Sequence, residues 1–403
     1  LKKIINQEVY QMRKYFDETI DRNRTFSYKW DERKRFFDSD EVLPMWVADM
    51  DFRSPKPVVD ALIKRAEHGV YGYSSSPNSY DEAVVSWLEQ RHRWKIEKEW
   101  LSYSPGVMPT IGFLISCLTE PGDKVVLQSP VYYPFFDVIN RSGRVIVDNA
   151  LILEDNTYKM DLDKLEYQLD SSVKMLLLCS PHNPVGRVWT KDELVRLGEI
   201  CIKHNIIIVA DEIHADLVFK QSKHIPLATI SEELAQQTIT CIAPSKTFNI
   251  AGLQASSVII SNADLRLKFR KEISRYSLNM MNTFGRVAAE ASYKQGGEWL
   301  DQCIDYIYDN NQYVKQYVET NMPLIKVIQS EGTYLVWLDC RKLGMNGQEL
   351  REFMLKKAKV ALSDGFIFGE NGDGFTRMNI GCPREMLVEG LERIKSAYIS
   401  TFK

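Results

Sequence analysis

The stretch NIIIVADEIHADLVF, residues 205–219, decides the fold. Residues 205–210 form a short run rich in branched apolar side chains, closed by the acidic pair Asp211 and Glu212. Such a run predicts a strand buried on both faces. Residues 124–127, 173–179 and 238–243 repeat the pattern, each bounded by polar residues or by Pro and Gly. Amphipathic stretches separate these runs. In one of them Thr190 and Glu193 have the spacing of a capping box, in which each side chain satisfies the other's free backbone N–H. The helix that follows carries Leu194, Leu197 and Cys201 on one stripe. Alternating buried strands and amphipathic helices predict an α/β fold, with a mostly parallel sheet between helices.

At 403 residues the chain exceeds what one ordinary core holds, so two domains are expected. From residue 296 the pattern changes to long helices, a strand at 334–338 and a Gly-rich stretch at 365–374. The predicted organisation is therefore a large domain over 55–295 and a smaller α+β domain over 296–403, with residues 1–54 belonging to the smaller one. The eleven residues before Met12 read as an extension or a start-site artefact and are given no function.

A hydrophobic fraction of 44% and a charged fraction of 26% are ordinary for a globular protein. The formal net charge is −3, with both signs interleaved, which leaves no electrostatic footprint for nucleic acid. Apolar runs such as 206–210 fall far short of the ~20 residues needed to cross a bilayer. The first residues lack the pattern of a signal peptide, and a cytoplasmic location is expected. Seven cysteines are scattered singly with no C-x-x-C pair, which argues for a reducing compartment and against structural zinc. The expected partner is a small molecule.

In open α/β sheets ligands bind beyond the carboxyl ends of the strands. The residues that follow the four runs are Tyr132 after the first, Asn183 after the second, Asp211 and His214 after the third, and Ser245 and Lys246 after the fourth. If the four strands are neighbours, an aromatic ring, an amide, a carboxylate and an amine converge. Pyridoxal 5′-phosphate (PLP) requires such a set. Lys246 can form the Schiff base, and Asp211 can keep the ring nitrogen protonated so that the ring accepts electrons. Asn183 can donate to the phenolic oxygen and Tyr132 can stack on the ring. The phosphate needs backbone N–H groups at a helix start, which Val107 and Met108 can supply just before a helix predicted over 110–118. Singly, each residue has a plainer reading. An Asp often caps a helix, an Asn before Pro often makes a turn, and Tyr132 or His214 could simply pack a core. The set as a whole outweighs these.

The segments HNPVGRVW (182–189), ADEIHADLVF (210–219) and APSKTFNIAGL (243–253) resemble the fold-type-I PLP-dependent enzymes of the class I/II aminotransferase superfamily. The resemblance is strongest to their cystathionine β-lyase or C–S lyase branch. It extends to YKWD (28–31), VADMDF (47–52), YGY (71–73), GTYLVWLD (332–339) and FTRMNIGCPR (375–384). The resemblance implies Lys246 as the Schiff-base lysine, Asp211 as the pyridinium partner, Asn183 as the phenolate donor and Tyr132 as the stacking ring. His214 falls where many aminotransferases carry a tyrosine near that same oxygen. Tyr73 resembles a residue that reaches the phosphate in the neighbouring subunit, which implies a homodimer with shared active sites. Arg377 resembles the arginine that clamps the substrate α-carboxylate.

Two positions depart from the family pattern. Ala243 replaces a common phosphate-binding serine, and Gln254 a basic residue. The phosphate is then expected to rely on Ser245, Tyr73 and the helix start at Val107 and Met108. The implied reaction is α,β-elimination on L-cystathionine or a related cysteine S-conjugate. An aminotransferase and a non-catalytic PLP-binding scaffold are the alternatives.

Overall fold

The computed structural model describes residues 15–75 and 78–402, and the segment before Met12 lies outside them. The chain divides into two compact units. The larger comprises residues 54–183 and 187–300, and the smaller takes the described residues up to 53 together with 184–186 and those from 301 onward.

The larger unit is built on a seven-stranded sheet. In chain order its strands are β1 (Leu101–Ser104), β2 (Lys124–Leu127), β3 (Val145–Asp148), β4 (Val173–Cys179), β5 (Ile207–Asp211), β6 (Thr238–Ile242) and β7 (Ser256–Ile259). Across the sheet they run β1-β7-β6-β5-β4-β2-β3, and only β7 opposes the rest. The α/β expectation is thus met. Two faces of branched apolar side chains explain the sheet's central place. Val125, Leu127, Met175, Leu177, Val209, Ile239 and Val258 form one continuous core with Ile111, Leu114, Phe135 and Phe269 from flanking helices. At about 25 cal/mol per Å² of apolar surface removed from water, such a core is the main term holding the unit together.

The expected strand at 205–210 begins later and ends later than the sequence pattern suggested. Asn205 adopts a left-handed backbone with φ of +53°, and Ile206 N–H bonds back to Cys201 O at 2.9 Å. Both residues therefore close the preceding helix, Lys191–Lys203, whose N-terminus is the predicted Thr190–Glu193 capping box. Asp211 is the last residue of β5 rather than the first of a loop. The helix expected over 110–118 spans Val107–Leu118. Its first turn includes Pro109, which a first turn tolerates because N–H groups there have no helical partner.

In the smaller unit four antiparallel strands, β8 (Lys326–Val327), β9 (Leu335–Asp339), β10 (Ser363–Asp364) and β11 (Phe375–Asn379), run in the order β8-β9-β11-β10. The Gly-rich stretch forms two short 3-10 turns, Gly365–Phe368 and Glu370–Gly372. Glycine is required at Gly365 and Gly372, because a Cβ on either would collide with the carbonyl oxygen of the other. The motifs YKWD and VADMDF meet in one buried ion cluster. Lys29, fully buried, lies 2.5 Å from Asp51, which also takes Arg22 at 2.6 Å and the Trp30 indole N–H at 2.9 Å. Asn379 then straps residues 47–49 in place by donating to Val47 O and Asp49 O, each at 2.6 Å.

Candidate active site

Strands β2, β4, β5 and β6 are consecutive in the sheet, so the condition on which the convergence rested is met. The ladder sets the geometry. Asp211 pairs in register with Cys179 on one side and Cys241 on the other, so the ends of three strands lie level. Asn183 follows Cys179 closely, and its backbone N–H donates to the Cys179 sulfur at 3.3 Å. Beyond β6 comes one helical turn, α1 (Pro244–Thr247), which carries Ser245 and Lys246. Pro244 at its first position presets φ and leaves no N–H unsatisfied. Because β6 and β7 are antiparallel, the whole 243–255 connection stays at this edge.

Asp211 is the electrostatic centre. Its side chain is buried, and it accepts the Ile213 N–H at 3.2 Å. Burial pushes its carboxyl up to about 7, against the opposing pull of that N–H and of the Lys246 charge. A carboxyl held in this state gains most from a cationic N–H placed against it, which is what a pyridinium nitrogen presents. The residues present therefore fit PLP. Around Asp211, His214 and Asn183 are buried, while Lys246, Ser245 and Tyr132 are partly exposed. Tyr132 sits among rings, 5.6 Å from Tyr133 and 6.0 Å from Phe135 between centroids.

The start of the Val107–Leu118 helix follows β1, whose last residue pairs with Ser256 of β7, so it opens at the same edge. Its cap is Gly106, which has no side chain to satisfy the N–H groups of Val107 and Met108. Gln254 adopts a left-handed backbone, and its carbonyl accepts the Tyr103 hydroxyl at 3.2 Å. Two predicted residues belong to other elements. Tyr73 occupies the loop after the helix Lys56–Glu67 and is 98% exposed. Arg377 belongs to β11 of the smaller unit. There its side chain is buried and donates to Trp46 O at 2.8 Å and Ser363 Oγ at 3.0 Å, with the guanidinium 5.0 Å above the Phe368 ring. A surface charge it is not.

A family profile, aminotransferase class I and II, matches residues 41–394. The chain belongs to this family. It is 44% identical over 383 residues to cystathionine beta-lyase PatB of Bacillus subtilis, covering 95% of this chain and 99% of that protein. Among solved structures, cystalysin from Treponema denticola, which contains a PLP cofactor, matches with a TM-score of 0.93 and 41% identity, over 96% of this chain and 98% of that one. The PLP-bound C-S lyase from Staphylococcus hominis matches with a TM-score of 0.89 and 32% identity, covering 95% and 98%. The resemblance read from the motifs, and the fold it implied, are borne out.

Sequence reading missed a second layer beneath this family's strand-end site. Glu212, Asp216, His92, His224 and Thr247 form a connected, largely buried set that reaches the residue after Lys246 and the residue after Asp211. A faint signal was present in ADEIHADLVF, where Asp216 follows Asp211 by five residues inside a matched motif.

Proposed function

We propose that this chain is a PLP-dependent carbon–sulfur β-lyase that converts L-cystathionine, or a related cysteine S-conjugate, to pyruvate, ammonia and a thiol. The observation that carries the reading is the buried Asp211, its carboxyl pushed up by burial, at a strand end beside the strand that leads into the turn bearing Lys246. The names of the relatives support the choice of reaction. When bound, PLP supplies a ring that accepts the electron pair left when the Cα proton departs.

The chain's own residues do the rest. Lys246 holds the cofactor through its amine and, once displaced by the substrate, takes the Cα proton as a general base. Asp211 keeps a proton at the ring nitrogen. Asn183 donates to the phenolic oxygen, with His214 close by, and Tyr132 covers the ring face. Val107 and Met108 N–H groups, the Ser245 hydroxyl and Tyr73 from a second copy hold the phosphate. That arrangement compensates for Ala243 and Gln254, which bring no charge.

Arg377 holds the substrate α-carboxylate, its fork oriented from behind by Trp46 O, Ser363 and Phe368. Arg377→Ala is expected to raise KM about tenfold or more while lowering kcat less, since a carboxylate clamp acts mainly in uniform binding. An unchanged KM in steady-state assays would place the clamp elsewhere.

The working unit is a homodimer with shared sites. Its support is the set of exposed apolar side chains Val59, Ile63, Val70, Tyr71 and Tyr73 on and just after the helix Lys56–Glu67. Light scattering should give twice the 46.6 kDa chain mass, and a monomer carrying full activity would refute it. We place the enzyme in the cytoplasm, in sulfur amino-acid metabolism, where its seven free cysteines stay reduced. Among the described residues no helix is long and apolar enough to cross a membrane. The reaction is tested by incubating PLP-loaded protein with L-cystathionine: pyruvate is expected, and its absence contradicts the reading.

A further inference from the structure

A buried polar bridge joins the turn that carries Lys246 to the segment that carries Asp211. Thr247, the residue after Lys246, donates its hydroxyl to Asp216 Oδ2 at 2.9 Å. The other Asp216 oxygen accepts the Trp87 indole N–H at 3.0 Å and His92 Nε2 at 2.8 Å. A carboxylate only accepts, so Nε2 of His92 carries the ring proton. The His92 ring meets His224 edge to face, 5.6 Å between centroids, and His224 Nε2 bonds Glu212 Oε2 at 2.9 Å. Glu212 directly follows Asp211. It is anchored in turn by the Leu227 N–H on its other oxygen and by its own N–H on Cys241 O, both at 2.9 Å. The path therefore runs from the neighbour of Lys246 to the neighbour of Asp211.

These groups are shielded from water. Side-chain exposure is 9% for Asp216, 7% for His92 and 2% each for His224 and Glu212. Burial alone would raise the Asp216 carboxyl, but the hydrogen bond and charge of His92, helped by Thr247, outweigh it and hold the group below its usual range. Asp216 is thus an ionised acceptor whose bonds are charge-assisted, short and directional. Stability alone does not call for such a set, because apolar side chains of similar volume commonly hold a fold as well as buried ions do. What the polar set adds is a fixed alignment. Trp87 and His92 both lie on the helix Asn78–His92, so a rigid element outside the sheet braces Asp216 from behind.

We propose that Asp216 is a positioning residue that, through Thr247, fixes the turn of Lys246 relative to Asp211. The amine then meets the cofactor carbonyl carbon and, later, the substrate Cα proton in one alignment. Misplacing a reacting group by about 1 Å can cost on the order of 100-fold in rate, so a brace at this distance has a large effect. The inference rests on the reading that Lys246 holds PLP.

Two pairs of variants test it in the full-length protein. Thr247→Val deletes the hydroxyl and keeps the branched shape, and Thr247→Ser keeps the hydroxyl. His92→Leu deletes the N–H donor, and His92→Gln returns an N–H close to the place of Nε2. Loss of one charge-assisted bond predicts about a tenfold drop in kcat, with KM for L-cystathionine within about twofold. The same drop is expected in the rate at which dialysed protein regains the absorbance of lysine-bound cofactor after PLP is added. Serine and glutamine are expected to restore both rates. A merely structural role would lower the melting temperature without this split.

Thr247→Val with both rates equal to wild type overturns the proposal, as does Thr247→Ser impaired as deeply as Thr247→Val. Should Thr247→Val fail to fold, the His92 pair decides in the same way. Borohydride reduction of wild-type protein separates the two levels of failure. A label on Lys246 with unaffected variants sinks only the positioning role, whereas no label on Lys246 sinks the functional reading beneath it.

Discussion

Lys246→Ala is expected to lower turnover of L-cystathionine by about 10³-fold or more, because in the proposed mechanism one side chain both holds the cofactor covalently and takes the Cα proton. The variant should still fold. Lys246 lies on a single helical turn and is only partly buried, so truncation opens no large cavity. PLP can still be bound through the donors that face its ring and phosphate, but borohydride should no longer fix it to the protein. Steady-state kinetics and peptide mapping after reduction check both halves. A variant that keeps normal activity, or a wild type labelled at another lysine, would remove Lys246 from the mechanism.

Asp211→Asn is expected to have opposite effects on activity and on stability. With PLP bound, the neutral amide cannot hold a proton at the ring nitrogen, and turnover should fall about 100-fold or more, as when other preorganised electrostatic partners are removed. Without PLP the carboxyl is a burden at neutral pH. Its pKa rises from 3.8 to about 7 in the folded chain. A raised acid favours the folded state while it is protonated in both states, so its contribution is fully present below 3.8. That contribution is lost as pH rises through about 7. The difference amounts to about 4 kcal/mol above that range. Asparagine carries no such dependence. Cofactor-free Asp211→Asn should therefore melt higher than cofactor-free wild type at pH 8, with the gap closing towards pH 4. Parallel thermal melts across that range check it, and a gap that does not change with pH would contradict the assigned state of Asp211.

Much of this was legible in the sequence, for a physical reason. Strands such as Lys124–Leu127 and Val173–Cys179 are buried on both faces over most of their length, so nearly all their residues beyond Lys124 and Lys174 are under the same apolar demand and both ends are marked by polar punctuation. The strand-end residues could then be placed by a general rule of α/β sheets. The limits were local. The start of β5 was obscured because Ile206, although apolar, serves the turn at the end of the preceding helix. The start of the Val107–Leu118 helix was obscured by Pro109, which reads as a boundary but is tolerated in a first turn.

The bridge beneath the site was barely legible. His92 and Asp216 are 124 residues apart, and nothing in the local pattern around either one distinguishes a buried hydrogen bond from a solvated charge. Arg377 was legible as a motif residue, but its seat on Phe368 and its bonds to Trp46 O and Ser363 depend on the β10-β11 register. The role proposed for Tyr73 requires a second copy, which no single chain displays.

The central claim is elimination at a carbon–sulfur bond. It is tested most directly by incubating PLP-loaded protein with L-cystathionine and following pyruvate and free thiol together, with and without an added keto-acid acceptor. Equal amounts of pyruvate and thiol, formed without the acceptor, are the predicted result. Product that forms only when the acceptor is present would mean that the same residues carry out transamination, and would contradict the account.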